Sequence, residues 1–322
     1  MKKYLLPQNG NFYKANLHCH STCSDGRLTP EELKKLYQSM GYSVLAITDH
    51  DKLISHPELS DEKFLALNGY ELSIAVDPKD IPFTEQAKRI HPPTCHIGLI
   101  ALEQRNIVQP DFQRVYDPES ICRIMQEGRE KGFFVIYNHP TWSCEGYEDY
   151  IHYEGMHAFE ISNYSCQLDG YEEYNSHIYD DFLRKGRKLF AVAADDNHNA
   201  ALQGTSAWDS GGGFIMIKAD NLQYRTITKA LEEGIFYASE GPEIKELWYE
   251  DGEVFISCSP AKSIAMGTDW RMNRAVFAKE GTTLTNAKFK IPQECSYFRL
   301  IVTDTSGRHA NTNAYYISDI IK

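Results

Sequence analysis

The chain has 322 residues, 42% of them apolar, and a formal net charge of -12. That apolar content excludes a disordered chain, and the length suits one large domain plus a small one, because a single core stops growing near roughly 250–300 residues. An acidic chain repels a polyanion, so the balance argues against a nucleic acid polymer as partner. No apolar run approaches the roughly 20 residues needed to span a bilayer, so no membrane partner is expected. The start offers only Tyr4-Leu5-Leu6 before Pro7, too short for a signal-peptide core, and a cytoplasmic protein is expected. Eight cysteines include no CxxC pair, and Cys19 and Cys23 lack a second close pair that would complete a four-cysteine zinc set, so reduced thiols are expected.

Strand-like and helix-like stretches alternate through the first 240 residues. Asn11 to Leu17 reads as a strand. Thr29-Pro30-Glu31-Glu32 opens a helix with a capping box, and Gly41 ends it. Val44 to Thr48 is a short apolar strand of the kind buried on both faces. Phe64 to Leu72 and Ile97 to Leu102 read as further strands. A helix starts at Asp117-Pro118 and stops at Lys131-Gly132, before the strands Phe133 to Tyr137 and Ala158 to Ser162. Tyr171 to Lys185 reads as helix, Leu189 to Ala194 and Phe214 to Ile217 as strands, and Leu222 to Glu233 as helix. Repeated β-α units imply a parallel sheet or barrel. After Gly241 only strand signals remain: Glu246 to Tyr249 and Val254 to Cys258 flanking the turn Glu250-Asp251-Gly252, then Ala275 to Ala278, Lys288 to Ile291, Phe298 to Thr303 and Ala314 to Ile317. The expected fold class is therefore α/β over residues 1–241, followed by a small all-β sandwich over 242–322.

Chemistry-bearing residues gather at strand ends. In Asn16-Leu17-His18-Cys19-His20 an extended backbone points His18 and His20 the same way, so both can grip one ion. Thr48-Asp49-His50 ends the apolar strand from Val44, and His139 ends the buried strand from Phe133. In Asp195-Asp196-Asn197-His198 the pair Asp196 and His198 repeats the two-residue spacing. Ligands bind beyond the carboxyl ends of strands in parallel α/β folds, so these segments can converge in one mouth. Imidazole with carboxylate suits Zn, Mn or Fe. Surface or core histidines are the expected reading for His56, His91, His152, His157, His177 and His309. Lys52 and Arg89 are candidates for a phosphate oxygen, against a solvated-surface reading. Tyr147, Tyr150, Tyr153, Tyr164, Tyr171 and Tyr174 either line a pocket or pack a loop.

This set resembles a known family. His18-Cys19-His20-Ser21 with Ser24-Asp25-Gly26 is similar to its opening motif, and Thr48-Asp49-His50 to its second. Gly69-Tyr70-Glu71, Cys95-His96-Ile97-Gly98, Asn138-His139-Pro140 and Asp196-Asn197-His198 complete it, in order from 18 to 198. The family is the PHP (polymerase and histidinol phosphatase) superfamily, and residues 233–242 with the strands near 298–304 and 312–314 resemble the subgroup that carries a C-terminal β-sandwich.

The resemblance implies a distorted (β/α)7 barrel with a di- or trinuclear centre of two or three divalent metal ions. His18, His20, Glu71 and Asp196 would hold the first, Glu71, His96 and His139 the second with Glu71 bridging, and Asp25, His50 and His198 the third. It also implies hydrolysis of a phosphate mono- or diester by metal-activated hydroxide, with His50, His198 and Glu71 in catalytic roles. A small-molecule phosphate ester is the expected substrate, and oligomeric state is left open. Two other readings stand beside it: an amidohydrolase-like amide or ester hydrolase using the same cluster, and a metal-stabilised binding module.

Overall fold

A computed structural model describes residues 2–320. Its strands are β1 (Lys2–Tyr4), β2 (Asn11–Asn16), β3 (Val44–Ile47), β4 (Leu65–Ala75), β5 (Thr94–Ala101), β6 (Phe133–Tyr137), β7 (Ala158–Asn163), β8 (Phe190–Ala194), β9 (Phe214–Ala219) and β10 (Phe236–Ser239). There follow β11 (Ile244–Glu250), β12 (Glu253–Ala261), β13 (Ser263–Thr268), β14 (Arg274–Phe277), β15 (Leu284–Lys290), β16 (Tyr297–Thr303), β17 (His309–Thr312) and β18 (Tyr315–Tyr316).

Most of the strands join one long sheet in the order β14-β13-β16-β17-β10-β9-β2-β3-β4-β5-β6-β7-β8, with β18 added on β16. A smaller sheet runs β1-β11-β12-β15. The fold is thus mixed α/β and rich in sheet. The ladders among the described residues do not show the distorted (β/α)7 barrel that the resemblance implies. β2, β3 and β4 pair in parallel, as do β6, β7 and β8, but β4–β5, β5–β6, β2–β9 and β9–β10 are antiparallel. The connection between β4 and β5 holds only the short helix Gln86–Ile90 and returns the chain antiparallel to β4. β8 packs beside β9 and β10 at the end of the curl without a ladder to either.

Local sequence explains the elements that matter. Thr29 caps the helix Pro30–Ser39 by accepting from the Glu32 N–H while the Glu32 carboxylate accepts from the Thr29 N–H. β3 is buried at every position, as its unbroken apolar run requires. Asp251 and Gly252 both take positive φ, 48° and 85°, as the two-residue turn between β11 and β12 demands. A first core fills the space between the sheet through β2 to β9 and the helices Pro118–Glu130, Ser176–Arg184 and Tyr224–Glu232. A second core gathers Leu247, Val254 and Ile256 from the small sheet with Ile264, Phe298, Leu300 and Val302 from the long one.

Several elements were not legible beforehand: β1, β10, β13, β17 and the short helices Tyr164–Leu168 and Ile317–Ile320. The expected helix from Tyr171 begins only at Ser176. All eight cysteines are free thiols, as expected.

One side chain ties the late strands to the first core. Arg299 on β16 is 1% exposed and donates to Asp180 Oδ1 (2.8 Å), Asn311 Oδ1 (3.1 Å) and Ser176 Oγ (2.9 Å). Removing one member of a buried pair leaves the other charge uncompensated. Arg299→Met should therefore lower the unfolding free energy by about 3–5 kcal/mol, read from urea denaturation.

Candidate metal centre

The site is built where strands stop. Asp196 N–H donates to His18 O (3.0 Å), His20 N–H to Asn197 O (3.1 Å) and Thr48 N–H to Cys19 O (2.7 Å), so the ends of β2, β3 and β8 are stitched together just beyond their ladders. His50 and Glu71 form an isolated bridge that adds β4. Asn16 extends the stitching, donating to His18 O (2.9 Å) and accepting from Asp195 N–H (3.1 Å). Asp196 itself sits at φ 53°, a left-handed position that costs a non-glycine residue roughly 1–3 kcal/mol and is held only by surrounding structure.

The structure brings all nine sequence-selected residues together. Glu71, 1% exposed, is the hub: its Oε1 lies 3.1 Å from His18 Nε2, 3.1 Å from His96 Nδ1 and 3.0 Å from His139 Nε2, and its Oε2 lies 3.1 Å from His50 Nδ1. Asp196 Oδ1 lies 3.1 Å from His18 Nε2 and 3.0 Å from His20 Nε2. Asp25 stands at the rim, 3.5 Å from His198 Nε2 and 3.6 Å from His50 Nε2. At the main cluster the groups with converging donor atoms are His18, His20, Glu71 and Asp196; His50, Glu71 and His96; His20, Asp25, His50 and His198; and His18, His139 and Glu160. In these groups His139 converges with Glu160 rather than with the implied pair Glu71 and His96. His20 thus joins the rim group and His50 the second group, beyond the sets implied by the motifs.

Electrostatics follow this crowding. Burial disfavours an ionised Glu71, yet His18, His96 and His139 outweigh it and hold its pKa well below the usual carboxylate range. Burial likewise opposes the His139 imidazolium, but Glu71 and Asp196 push its pKa up to about 9. For His198 the hydrogen bond to Asp25 overcomes burial and gives about 9 as well. Burial dominates at His20 and lowers it.

The donor set fits divalent cations on its own chemistry. His18 Nδ1 lies 3.0 Å from Glu160 Oε1, so a proton there leaves Nε2 as a lone pair. That lone pair faces two carboxylate oxygens and, at 3.2 Å, the Nε2 of His20. One shared proton cannot satisfy such a group, whereas a cation among them can. Buried His50 Nδ1, His96 Nδ1 and Asp196 Oδ1 meet their ion-pair partners at 3.0–3.1 Å without the alignment of a hydrogen bond, and buried His20 Nδ1 likewise makes none. The rows of histidine and carboxylate suggest divalent metals without fixing their number or identity.

Sequence reasoning missed the supporting residues. Glu160 accepts from His139 N–H (3.0 Å) and Asn163 Nδ2 (2.9 Å) besides facing His18. Its signal was a lone carboxylate inside the fully buried strand Ala158–Asn163. Asn138 donates to Glu71 Oε1 (2.9 Å), and Asp209 accepts from His198 N–H (2.8 Å). Asp195, the neighbour of Asp196, faces away and accepts from the N–H groups of Gly211, Gly212 and Gly213.

The cluster opens into a cavity of about 510 Å³ lined also by Trp142, Cys166, Leu168 and Ala207. The Trp142 ring lies 5.4 Å from that of His96 and 5.1 Å from that of His139. A larger hollow of about 1010 Å³, lined by Asp61, Glu103 and Arg225 among others, holds none of the cluster residues. None of the six tyrosines between 147 and 174 lines the cluster cavity: Tyr153 is buried against Glu145, and Tyr174 stacks on His309. Lys52 is exposed with its Nζ on Cys23 O, and Arg89 bonds Ile81 O.

No family model matches the chain. Over 40 residues it is 52% identical to a 5'-3' exoribonuclease of Haemophilus influenzae, and over 72 residues 42% identical to the 5'-3' exoribonuclease Rnm of Salmonella typhimurium. These matches cover 12% and 20% of this chain and only 15% and 25% of the two relatives. Among solved structures, a two-domain Bacteroides vulgatus protein containing a predicted PHP-like metal-dependent phosphoesterase is similar over 98% of both chains at 13% identity and a TM-score of 0.49. A Bifidobacterium adolescentis metal-dependent phosphoesterase of putative assignment matches 71% of this chain and 96% of its own, at 15% identity and TM-score 0.39.

The relatives correct one expectation. A nucleic acid polymer was argued against from net charge, but both curated relatives are named for action on RNA. The physical reason is that net charge averages the whole surface, whereas binding depends on the local field of the pocket, which here is crowded with imidazoles. Among the described residues no helix is long and apolar enough to cross a membrane.

Two outcomes follow from this geometry. Glu160→Gln should weaken metal binding by about 10–100-fold in a metal titration, because the carboxylate that orients His18 is lost. Glu145, buried and hydrogen-bonded to Tyr116, Tyr137 and Tyr153, has its pKa pushed up by burial to about 7. A raised carboxyl pKa contributes stability that is present below the unfolded value of about 4.5 and lost as pH rises through about 7. Wild type should thus lose more unfolding free energy between pH 5 and pH 8 than Glu145→Gln does. In its motifs and in the cluster those motifs form, the chain resembles the PHP superfamily.

Proposed function

We propose that the chain is a metal-dependent phosphoester hydrolase of PHP type. The observation that carries this reading is the buried Glu71 carboxylate ringed by His18, His50, His96 and His139, with Asp196 beside it. Two or three divalent cations, of Zn, Mn or Fe, would be held by His18, His20, Glu71 and Asp196, by Glu71, His96 and His139, and by Asp25, His50 and His198. When bound, such ions acidify a water and neutralise charge on phosphoryl oxygens.

The chain's own groups do the rest. Glu71, held by Asn138, would bridge two of the ions, while Glu160 orients His18 and the Asp196 carbonyl, 3.0 Å from Nδ1, orients His198. His50 and His198, with side chains 29% and 30% exposed, stand at the mouth where a leaving oxygen would need a proton. Trp142 offers an aromatic edge or face beside His96 for a base. The exoribonuclease names of the relatives make an RNA phosphodiester the substrate class to test first. We read the curled sheet as an open version of the PHP barrel over residues 1–241, and the two sheets packed around the second core as the β-sandwich over 242–322.

Chelator-treated protein should lose all hydrolysis of 5'-phosphorylated RNA oligonucleotides and of nucleotide mono- and diesters, and regain it with Mn, Zn or Fe. Full activity in a metal-free sample would refute the proposal. Glu71→Gln should lower metal content well below that of His177→Ala, whose imidazole is exposed and outside the cluster.

A further inference from the structure

We infer that Cys23, Asp49 and His56 form a separate site for a thiophilic divalent cation, zinc above all, beside the rim of the main cluster. The three come from three segments: the loop after His20, the end of β3 and the turn before the short helix Pro57–Leu59. One donor atom from each, the Sγ of Cys23, a carboxylate oxygen of Asp49 and a ring nitrogen of His56, lie within 4.8 Å of one another. None belongs to the motif-derived ligand sets.

His56 supplies the independent sign of a ligand. Its Nδ1 lies 3.3 Å from Glu58 Oε1, and a proton donated to that carboxylate leaves Nε2 as a lone pair. That Nε2 is buried and has no partner. An acceptor taken from water and given nothing in return costs free energy that a cation would restore. Asp49 is 1% exposed and already anchored, accepting from Ser21 N–H, Ser21 Oγ and Ser24 Oγ, each at 2.8 Å. Those three bonds leave a carboxylate lone pair available, since an ionised carboxylate offers about four. Cys23 is only partly buried, so a cation can reach its Sγ from solvent.

The donor set selects the ion. One thiolate, one imidazole and one carboxylate with a fourth position left for water is a zinc-like arrangement, and sulfur disfavours manganese. The main cluster contains no sulfur ligand, so the two sites differ in kind. A cation here would pin the loop carrying Asp25 to the segment carrying His50. That gives it a structural role at the rim, where the Asp25 side chain is otherwise 55% exposed.

Cobalt(II) makes the site visible, because a thiolate ligand gives a near-ultraviolet charge-transfer band that imidazole and carboxylate ligands do not. The full chain, titrated with cobalt(II), should develop this band. It should vanish in Cys23→Ser and weaken in His56→Ala, and zinc content by elemental analysis should fall by one ion per chain in Cys23→Ser. Cys166→Ser serves as control, since Cys166 Sγ lies 3.9 Å from Asp196 Oδ2 in the main cluster, and it should keep the band. Absence of the band in wild type, its persistence in Cys23→Ser, its loss in Cys166→Ser, or equal zinc in Cys23→Ser and wild type would each overturn the inference.

Discussion

A single buried carboxylate organises this molecule. An ionised Glu71 shut away from water would cost several kcal/mol if left alone. It is tolerated because four imidazoles and the Asn138 amide converge on its two oxygens. Those partners come from the ends of β2, β3 and β6 and from within β5, so the sheet must curl until the strands share one mouth. The stitching bonds beyond the ladders and the left-handed backbone at Asp196 are consequences of that requirement.

The same constraint divides the site into a dry wall and a wet rim. His18, His20, Glu71, His96, His139 and Asp196 are buried, and each has neighbours that fix its orientation. Asp25, His50 and His198 face the cavity and keep contact with solvent. A rigid wall preserves donor positions without reorganisation, which is what electrostatic stabilisation of a charged transition state requires. On the proposed reading, proton transfer would fall to the rim, where water and a leaving group can reach the imidazoles of His50 and His198.

Much of this was readable in the sequence because the chemistry sits where patterns end. Apolar runs such as Val44–Ile47 and Phe133–Tyr137 stop at His50 and His139 within a few residues, and the two-residue spacings of His18/His20 and Asp196/His198 follow from extended backbone. Glu71 and His96 were reachable only through the family resemblance, because both lie inside long strands rather than at an end. Glu160 was missed although its place among Phe159 and Ile161 made it anomalous. Strand direction was hidden, since periodicity reports burial and says nothing about whether a neighbour runs parallel. The pairing of β1 with β11 was hidden for a related reason: Lys2–Tyr4 is too short to show a period. The expectation about nucleic acid failed because net charge is a property of the whole surface.

The central claim is that the Glu71 pocket is a cation site. Anomalous diffraction from crystals grown with excess manganese addresses it most directly. Density peaks at coordination distance from Glu71 and Asp196, with the imidazoles of His18, His96 and His139 turned towards them, are the predicted result. Peaks confined to surface carboxylates, with the Glu71 pocket holding only water, would contradict it.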